Sequence, residues 1–154
     1  MDRVSSVRTS RVTSEDLPDL VPLLAAYAAF YGESPADADL LAMAEAFLAA
    51  PEHDGVRVVA RGPEGDALGF ATVLWSWDTT LGQRLAVMED LFVAEAARGA
   101  GVGRRLLEAC REVAAAVGYR WLQWQTAPDN ATAQRLYDAT GAQRSTWLTY
   151  RLPT

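Results

Sequence analysis

Three glycines alternate with other residues in the segment Arg98-Gly99-Ala100-Gly101-Val102-Gly103. Glycine permits the positive φ angles that turn successive backbone N–H groups toward one point, where an anion can bind. An apolar run at 87–93 precedes the segment, and a strongly periodic helix pattern follows it. That helix adds its N-terminal N–H groups and its dipole to the same point. The spacing therefore predicts a loop that binds a pyrophosphate.

Two other phosphate-binding loops do not match this segment. A P-loop requires Gly-Lys-Ser/Thr at the start of the helix, and the chain contains no lysine. The dinucleotide fingerprint requires a third glycine at position 104 or 106, where Arg104 and Leu106 stand. The remaining alternative is a flexible turn without a ligand. A turn needs only one glycine and no flanking arginines. The three glycines and the arginines at 98, 104 and 105 therefore favour the anion-binding interpretation.

The elements that position this loop follow from hydrophobic periodicity and from turn residues. A capping box over 13–16 begins a helix that ends before Gly32. Ser34-Pro35 begins a second helix, a third follows the glycine loop and ends at Gly118, and a fourth covers 130–140. Strands are predicted at 7–12, 56–60, 67–77, 84–93, 120–126 and 145–152.

The order of these elements predicts an α+β fold in a single domain, 7–152. Strand 84–93, the helix after the glycine loop and strand 120–126 form a right-handed βαβ crossover with parallel strands. The earlier strands are joined by hairpins and are therefore antiparallel. We expect a mixed, largely antiparallel central sheet flanked by helices, with the crossover carrying the loop.

Composition excludes several classes of protein. The net charge of −6, from 20 acidic and 14 basic residues, argues against nucleic acid as a partner. No apolar run approaches the length of a membrane span, and the first six residues lack the apolar segment of a signal peptide. The single cysteine, Cys110, lies on the apolar stripe of the third helix. We expect a cytoplasmic protein with no disulfide, no metal ion and no membrane partner.

Two linked motifs resemble the GCN5-related N-acetyltransferase (GNAT) superfamily. The segment 98–103 fits the superfamily signature Arg/Gln-x-x-Gly-x-Gly/Ala. Asn130, Ala133, Tyr137 and Gly141 match its second signature, Asn-x-x-Ala-x-x-x-Tyr with a glycine four residues later. The element order agrees over essentially the whole chain. Tyr27-Ala28-Ala29-Phe30-Tyr31-Gly32, Glu89-Asp90 and Trp124-Gln125-Thr126 are similar to the polyamine and small-amine subgroup.

The resemblance implies that acetyl-CoA is the acetyl donor and that two residues are catalytic. Tyr137 matches the general acid beside the cofactor sulfur; the alternative is a core tyrosine packed under the sheet. Glu89 lies on the strand beside the cofactor and is the candidate base, acting directly or through a water. The alternative for Glu89 is a charge that binds the amine without moving a proton. Asp90 is expected on the opposite face of the strand, as a solvated or helix-capping residue.

The resemblance also implies the residues that contact the cofactor. Strand residues pair with the amides of the pantetheine arm, and the glycine loop surrounds the pyrophosphate. For Asn130, a contact with the pantetheine arm competes with a helix cap. The implied cofactor-binding residues are Leu91, Phe92, Val93, Arg98, Gly99, Ala100, Gly101, Val102, Gly103, Arg104 and Asn130.

The acceptor amine is expected to meet an aromatic and acidic wall. Tyr27 and Tyr31 share a helix face, and aromatic rings bind cations. The alternative for at least half of these residues is core packing. The candidate substrate-binding residues are Tyr27, Tyr31, Glu33, Trp75 and Asp78.

The predicted activity is acetyl-CoA-dependent N-acetylation of a primary amine of a small molecule: a polyamine, an amino acid or an aminoglycoside-like compound. Two alternatives stay open, namely a protein lysine or N-terminal acetyltransferase and a non-catalytic acyl-CoA-binding module. Large apolar groups on both faces of strand 145–152 predict a homodimer.

Overall fold

The computed structural model describes residues 6–154. Residues 1–5, part of the segment without a signal-peptide pattern, lie outside that range. Within the described residues, five strands form one sheet in the order β1-β2-β3-β4-β5. β1 to β4 pair antiparallel, and β4 and β5 pair parallel. The strands are β1 Arg8–Arg11, β2 Gly55–Arg61, β3 Ala67–Asp78, β4 Gln83–Val93 and β5 Leu122–Trp124.

Four α-helices connect and flank these strands. Each begins or ends near a residue that the sequence identifies as a stop or start signal, including the capping box of Thr13 with Asp16. The helices are α1 Leu17–Phe30, α2 Asp37–Ala49, α3 Val102–Ala116 and α4 Ala131–Asp138. The predicted α+β class, the mixed sheet and the parallel β4-α3-β5 crossover are confirmed.

Each face of the sheet buries its own hydrophobic cluster. α3 contributes an apolar stripe, including Leu106 and Cys110, to the cluster on one face. α1 and α2 contribute Leu20, Leu24 and Leu40 to the cluster on the other face, where they meet Phe70 and Phe92 of the sheet. The helices thus form layers on both sides of the sheet, and α1 and α2 share one layer.

A β-bulge interrupts β4 beside Glu89. Thr72 of β3 lies opposite Asp90, and the next residue, Val73, lies opposite Met88, so Glu89 has no partner of its own. Met88 packs in the α3-side cluster, and so does Leu91 three residues later. An extra residue shifts the alternation of side chains by one position. Even-numbered residues therefore face α3 before the bulge, and odd-numbered residues face it afterwards.

The same position marks the end of the pairing between β4 and β5. Their register covers Ala86 with Leu122, Val87 with Gln123, and Met88 with Trp124. Beyond Met88, no described strand pairs with that edge of β4. The two parallel strands therefore separate beside residues 89–93, and backbone N–H and C=O groups line the gap.

Two strand predictions differ from the structure at the end of the chain. β5 covers only 122–124 of the predicted 120–126. The predicted strand 145–152 is wrong, since residues 142–154 contain no helix or strand. Trp147 and Tyr150 are 82% and 88% exposed there. The pattern of large apolar residues suits a pleated surface, but it forms a strand only where another strand pairs with it. No helix within residues 6–154 is long and apolar enough to cross a membrane.

Candidate active site

The glycine loop positions the start of α3. Gly99 and Gly101 have φ angles of +76° and +77°, a conformation that strains any residue with a side chain. Gly101 is the N-cap, and the first helical hydrogen bond runs from the Arg105 N–H to the Gly101 carbonyl, at 3.1 Å. The N–H groups of residues 102–104 precede that bond, so they have no helical acceptor. These three donors and the helix dipole lie at the position where the sequence predicts an anion-binding loop.

Positive charge is concentrated at this end of α3. The first turn carries no acidic residue, whereas Arg104 and Arg105 both lie in it. Their guanidinium groups lie 3.3 Å and 3.4 Å from the Glu108 carboxylate one turn later. The Arg105 Nε atom is buried without a hydrogen-bond partner in the described chain. Cations at a helix N-terminus are unfavourable, so this arrangement suits a site that binds an anion.

Gly103 lets α3 approach the strand and helix α4 closely. A Cβ atom at Gly103 would lie 3.3 Å from Leu136 Cδ2, and 3.7 Å from methyl groups of both Leu91 and Val93. The start of α3, the second half of β4 and α4 therefore meet at this residue. Beside it, the Arg98 Nε atom donates to the Val93 carbonyl over 3.1 Å, which connects the loop to the end of β4.

Tyr137 lies on α4 and packs against the α3-side cluster. Burial raises the pKa of its phenol above the ordinary value of 10.0, and the nearby Tyr31 and Cys110 raise it further. The Tyr137 hydroxyl has no hydrogen-bond partner among residues 6–154. The phenol thus stays protonated at neutral pH, and its proton is free for donation.

Asn130 caps the helix that carries Tyr137. Its Oδ1 atom accepts a hydrogen bond of 3.1 Å from the Ala133 N–H. The helix-cap alternative considered for Asn130 is therefore present in the structure. The cap uses the side-chain oxygen and leaves the amide nitrogen for other contacts.

A cavity of about 560 Å³ lies between the sheet and the layer of α1 and α2. Three of the predicted substrate-binding residues line it together: Tyr27, Tyr31 and Glu33. The rings of Tyr27 and Tyr31 lie edge to face, with centroids 5.2 Å apart. Tyr31 lines this cavity and also raises the pKa of the Tyr137 phenol.

Two other predicted substrate-binding residues do not line this cavity. Trp75 packs edge to face on Tyr119, and its Nε1 atom donates to the Pro51 carbonyl over 2.7 Å. Asp78 accepts hydrogen bonds from Thr80 and Leu81 in the turn that ends β3. Trp75 therefore has a packing role, and Asp78 stabilises a turn.

Asp90 is a cavity residue that the sequence interpretation placed elsewhere. It lines the cavity with Tyr27. Burial raises the pKa of the Tyr27 phenol most strongly, and the Asp90 carboxylate raises it further. The expectation that Asp90 is a solvated or helix-capping residue is corrected by its place in the cavity lining, and the bulge at Glu89 interrupts the alternation from which that expectation came. Glu89 is exposed at the bulge, beside the gap between β4 and β5.

Arg57 was also missed as a cavity residue. Within the described chain, Arg57 and Thr72 are the two polar or charged residues that are buried, at 4% and 2% exposure. Arg57 lines the cavity. Its signal in the sequence is a charge in the middle of the apolar run 56–60, where a buried strand is expected to contain no arginine.

Comparisons with known proteins agree on one family. The family model for "Acetyltransferase (GNAT) family" matches residues 20–142. The uncharacterized N-acetyltransferase YhfO of Bacillus subtilis (strain 168) is 33% identical over 135 residues, which cover 86% of this chain and 87% of YhfO. The D-amino-acid N-acetyltransferase HPA3 of Saccharomyces cerevisiae (strain S288c) is 41% identical over 76 residues, 47% of this chain and 45% of HPA3.

Solved structures share the fold as well. The crystal structure of a probable acetyltransferase superimposes with a TM-score of 0.84 at 28% sequence identity. The match covers 96% of this chain and 97% of that one. The similarity therefore extends over nearly the whole of both chains.

Proposed function

Since the chain belongs to the acetyltransferase (GNAT) family and is an N-acetyltransferase, we propose that it transfers the acetyl group of acetyl-CoA to a primary amine of a small molecule. The acceptor classes are those expected from the sequence: a polyamine, an amino acid or an aminoglycoside-like compound. The relative HPA3 acts, by its name, on D-amino acids. The observation that carries the proposal is the separation of β4 and β5 between the start of α3 and Tyr137.

The family uses acetyl-CoA as its acetyl donor, and the residues of this chain suit that molecule. The unpaired N–H groups at the start of α3 and the partnerless Arg105 Nε atom are donors for a pyrophosphate. The unpaired edge of β4 offers backbone groups to the amides of a pantetheine arm, as a neighbouring strand would. The residues proposed to hold the donor are Leu91, Phe92, Val93, Arg98, Gly99, Ala100, Gly101, Val102, Gly103, Arg104 and Asn130.

The chemistry assigns one proton transfer to each proposed catalytic residue. When bound, acetyl-CoA supplies the thioester carbonyl carbon that the amine attacks. An alkylammonium has a pKa of about 10.4 and must lose a proton before it can attack. Glu89, at the edge of the gap, accepts that proton directly or through a water, or else holds the ammonium charge. With acetyl-CoA bound, the Tyr137 hydroxyl would hold a proton for the sulfur that leaves, and a backbone N–H of β4 would donate a hydrogen bond to the carbonyl oxygen.

The cavity under α1 and α2 is the proposed acceptor site. The rings of Tyr27 and Tyr31 and the Glu33 carboxylate suit a cationic amine. Asp90, which lines this cavity, is next to Glu89 in β4, so the proposed acceptor site adjoins the part of β4 that borders the gap. Asp90 adds a second carboxylate at the bottom of the cavity.

We further propose a homodimer. Four large apolar side chains of the C-terminal segment, residues 142–154, are at least 80% exposed: Trp147, Leu148, Tyr150 and Leu152. β5 lies at the end of the strand order, so one of its edges has no described strand beside it. A second copy of the chain that packs on the C-terminal segment would remove these side chains from water and would let the strand-like pattern form a strand.

A thiol-release assay tests the proposed activity. The full chain and acetyl-CoA are incubated with separate polyamines, amino acids and aminoglycosides, and released CoA is trapped with a chromogenic disulfide. We expect release above background with at least one class, and mass spectrometry of the acceptor should show the added acetyl group. Acetyl-CoA binding without turnover of any small amine would contradict the proposal. Turnover of peptide amines alone would favour the protein-acceptor alternative.

A further inference from the structure

Three polar residues form a row across the floor of the acceptor cavity. Arg57 of β2 lies directly opposite Thr72 of β3, and Thr72 lies directly opposite Asp90 of β4. The strand neighbours Val59, Phe70 and Phe92 alternate in phase with this row and belong to the cluster under α1 and α2. The row therefore lies on the face that α1 and α2 cover. Arg57 and Asp90 both line the cavity, so their charges lie at opposite ends of the row.

The Arg57 guanidinium is held rigidly but is not neutralised. Its Nε atom donates to the Thr72 hydroxyl over 3.1 Å, and its central carbon lies 4.1 Å from the centre of the Phe47 ring. Its Nη1 atom is buried and has no hydrogen-bond partner. Within residues 6–154, no carboxylate lies within 4.0 Å of this guanidinium. Burial lowers the pKa of Arg57, and the Asp90 carboxylate offsets this lowering only in part.

A buried charge without a partner destabilises a folded protein, and it persists where a ligand supplies the partner. The planar guanidinium fits a carboxylate, because two parallel N–H···O bonds join the groups. At the other end of the row, Asp90 beside Tyr27 suits an ammonium. The cavity thus offers a cation site and an anion site separated by Thr72.

From this arrangement we infer that the acceptor is an amine that also carries a carboxylate, an amino acid, and that Arg57 binds the carboxylate. The inference rests on the proposed function and narrows its acceptor class. A polyamine or an aminoglycoside would bring further positive charge toward the buried guanidinium, and it would leave Nη1 without a partner. An amino acid places one charge of each sign on the row.

Matched acceptors test the inference with the wild-type chain. Leucine in both enantiomers, leucinamide and isoamylamine share one carbon skeleton but differ in the carboxylate, and the same series is made for phenylalanine. With saturating acetyl-CoA, kcat/KM for the better enantiomer of the acid should exceed that for the amine and the amide by about 10-fold to 100-fold. That range corresponds to one charge-assisted hydrogen-bonded pair. The amide is the stricter comparison, because its amine is less basic and more of it is neutral.

Variants then assign the preference to Arg57. Arg57→Gln should bring the ratio of acid to amine close to one, and Arg57→Lys should retain part of it. Arg8→Gln is the matched control: it removes an arginine of the neighbouring strand β1 that does not line this cavity, and the ratio should stay at the wild-type value. Acetyl-CoA affinity of each variant, measured by calorimetry, shows that the donor site is intact. If Arg57→Gln does not fold, Thr72→Val, which removes the partner of Nε, should lower the same ratio.

The outcomes separate the inference from the function on which it rests. Equal or faster acetylation of isoamylamine and leucinamide by the wild-type chain would overturn the inference and leave the proposed activity standing. So would a wild-type preference for the acid that persists in a folded Arg57→Gln variant. If no amine with or without a carboxylate is acetylated, the proposed function itself fails.

Discussion

The rings of Trp124 and Tyr137 lie edge to face, with centroids 5.3 Å apart and planes at 61°. Trp124 is the last residue of β5, and it pairs with Met88, the last residue of β4 before the bulge. Through this contact, the end of β5 holds the phenol of α4 beside the point where the two parallel strands separate. The position of Tyr137 thus depends on where β4 and β5 separate.

Tyr137→Phe tests the acid role. The change removes one hydroxyl, so acetyl-CoA affinity should be preserved while the chemical step slows by roughly 100-fold, the usual scale for a positioned acid. Since burial raises the pKa of Tyr137 above 10.0, the phenol is protonated at neutral pH. The wild-type enzyme should therefore lose activity through deprotonation of Tyr137 only above about pH 10. Pre-steady-state kinetics and a pH profile of kcat measure both effects.

Tyr119→Phe is the control for that experiment. Its hydroxyl accepts a hydrogen bond of 3.0 Å from Arg84, away from the gap. This variant should lose some stability and keep its kcat. An unchanged kcat in Tyr137→Phe, with chemistry rate-limiting, would exclude the acid role.

The two neighbouring carboxylates of β4 should respond differently to neutralisation. If Glu89 takes the amine proton, Glu89→Gln lowers kcat and alters the acidic limb of the pH profile. Asp90→Asn should raise the KM of the amine and leave that limb unchanged, because Asp90 lines the cavity. If Glu89→Gln changes only KM, then Glu89 binds the ammonium and a water carries the proton away.

Gly101→Ala tests the anion-binding loop, and Gly118→Ala is its matched control. The two glycines lie at opposite ends of α3 with φ angles of +77° and +79°. A side chain costs about 1–2 kcal/mol in that conformation, so both variants should melt at a lower temperature. A loop that relaxes by that amount should weaken acetyl-CoA binding by about 5-fold to 30-fold in Gly101→Ala alone. Equal affinities of the two variants in calorimetry would rule out a special role for this loop.

The C-terminal segment should determine the oligomeric state. At tens of micromolar, where a standard interface persists, we expect sedimentation to show a particle of twice the chain mass. The double variant Trp147→Ser and Leu152→Ser should sediment as a monomer. Leu81→Ser removes an equally apolar side chain that is 58% exposed elsewhere, and it should remain a dimer. A wild-type particle of one chain mass would disprove the dimer.

The ion pair that connects β2 to the start of α1 predicts a pH-dependent stability. Arg61 lies 2.7 Å from Asp16 and 2.8 Å from the more exposed Asp19. Burial raises the pKa of Asp16, but hydrogen bonds from Thr13 and Arg61 outweigh it, so the pKa lies below 3.8. A carboxyl group with a lowered pKa stabilises the fold above its unfolded-state pKa, and this stabilisation disappears as the pH falls through the folded-state value.

Asp16→Asn should therefore lower the free energy of unfolding by about 1–3 kcal/mol at pH 7. The difference from wild type should shrink as the pH falls below 3.8, because the unfolded-state carboxyl becomes protonated there and the folded-state carboxyl follows at lower pH. Asp19→Asn should cost under about 1 kcal/mol, as is typical of an exposed pair. Urea unfolding at several pH values measures all three proteins. A difference that is constant down to pH 2 would contradict the linkage.

Most of the fold could be predicted from periodicity and turn residues. The apolar runs of β2 to β4 and the helical stripe of α3 report burial directly, and the glycines at 101 and 118 mark helix ends that local conformation requires. The strand prediction for the terminal segment is wrong for a physical reason. The spacing of Trp147 and Tyr150 is typical of a strand, but a strand forms only where a neighbouring strand pairs with it, and the alternating pattern does not say which strand that is.

The site was harder to predict than the fold. Tyr27, Tyr31 and Glu33 meet because they lie on one helix and its exit loop. Asp90 is not predicted as a cavity residue because the position of a bulge in β4 depends on hydrogen bonding to β3, which the β4 sequence does not reveal. Trp75 was expected at the acceptor site because strand alternation alone does not say which helices pack on which face of the sheet.

The bulge beside Glu89 makes the length of β4 as important as its composition. Side chains on a strand alternate with a period of two, so one residue more or less between Met88 and Asp90 would exchange the faces of every later position. Leu91 and Val93 would leave α3, and Asp90 would leave the acceptor cavity. A substitution in this strand changes one side chain. Insertion or deletion of a single residue would instead move the side chains of both proposed binding surfaces at once.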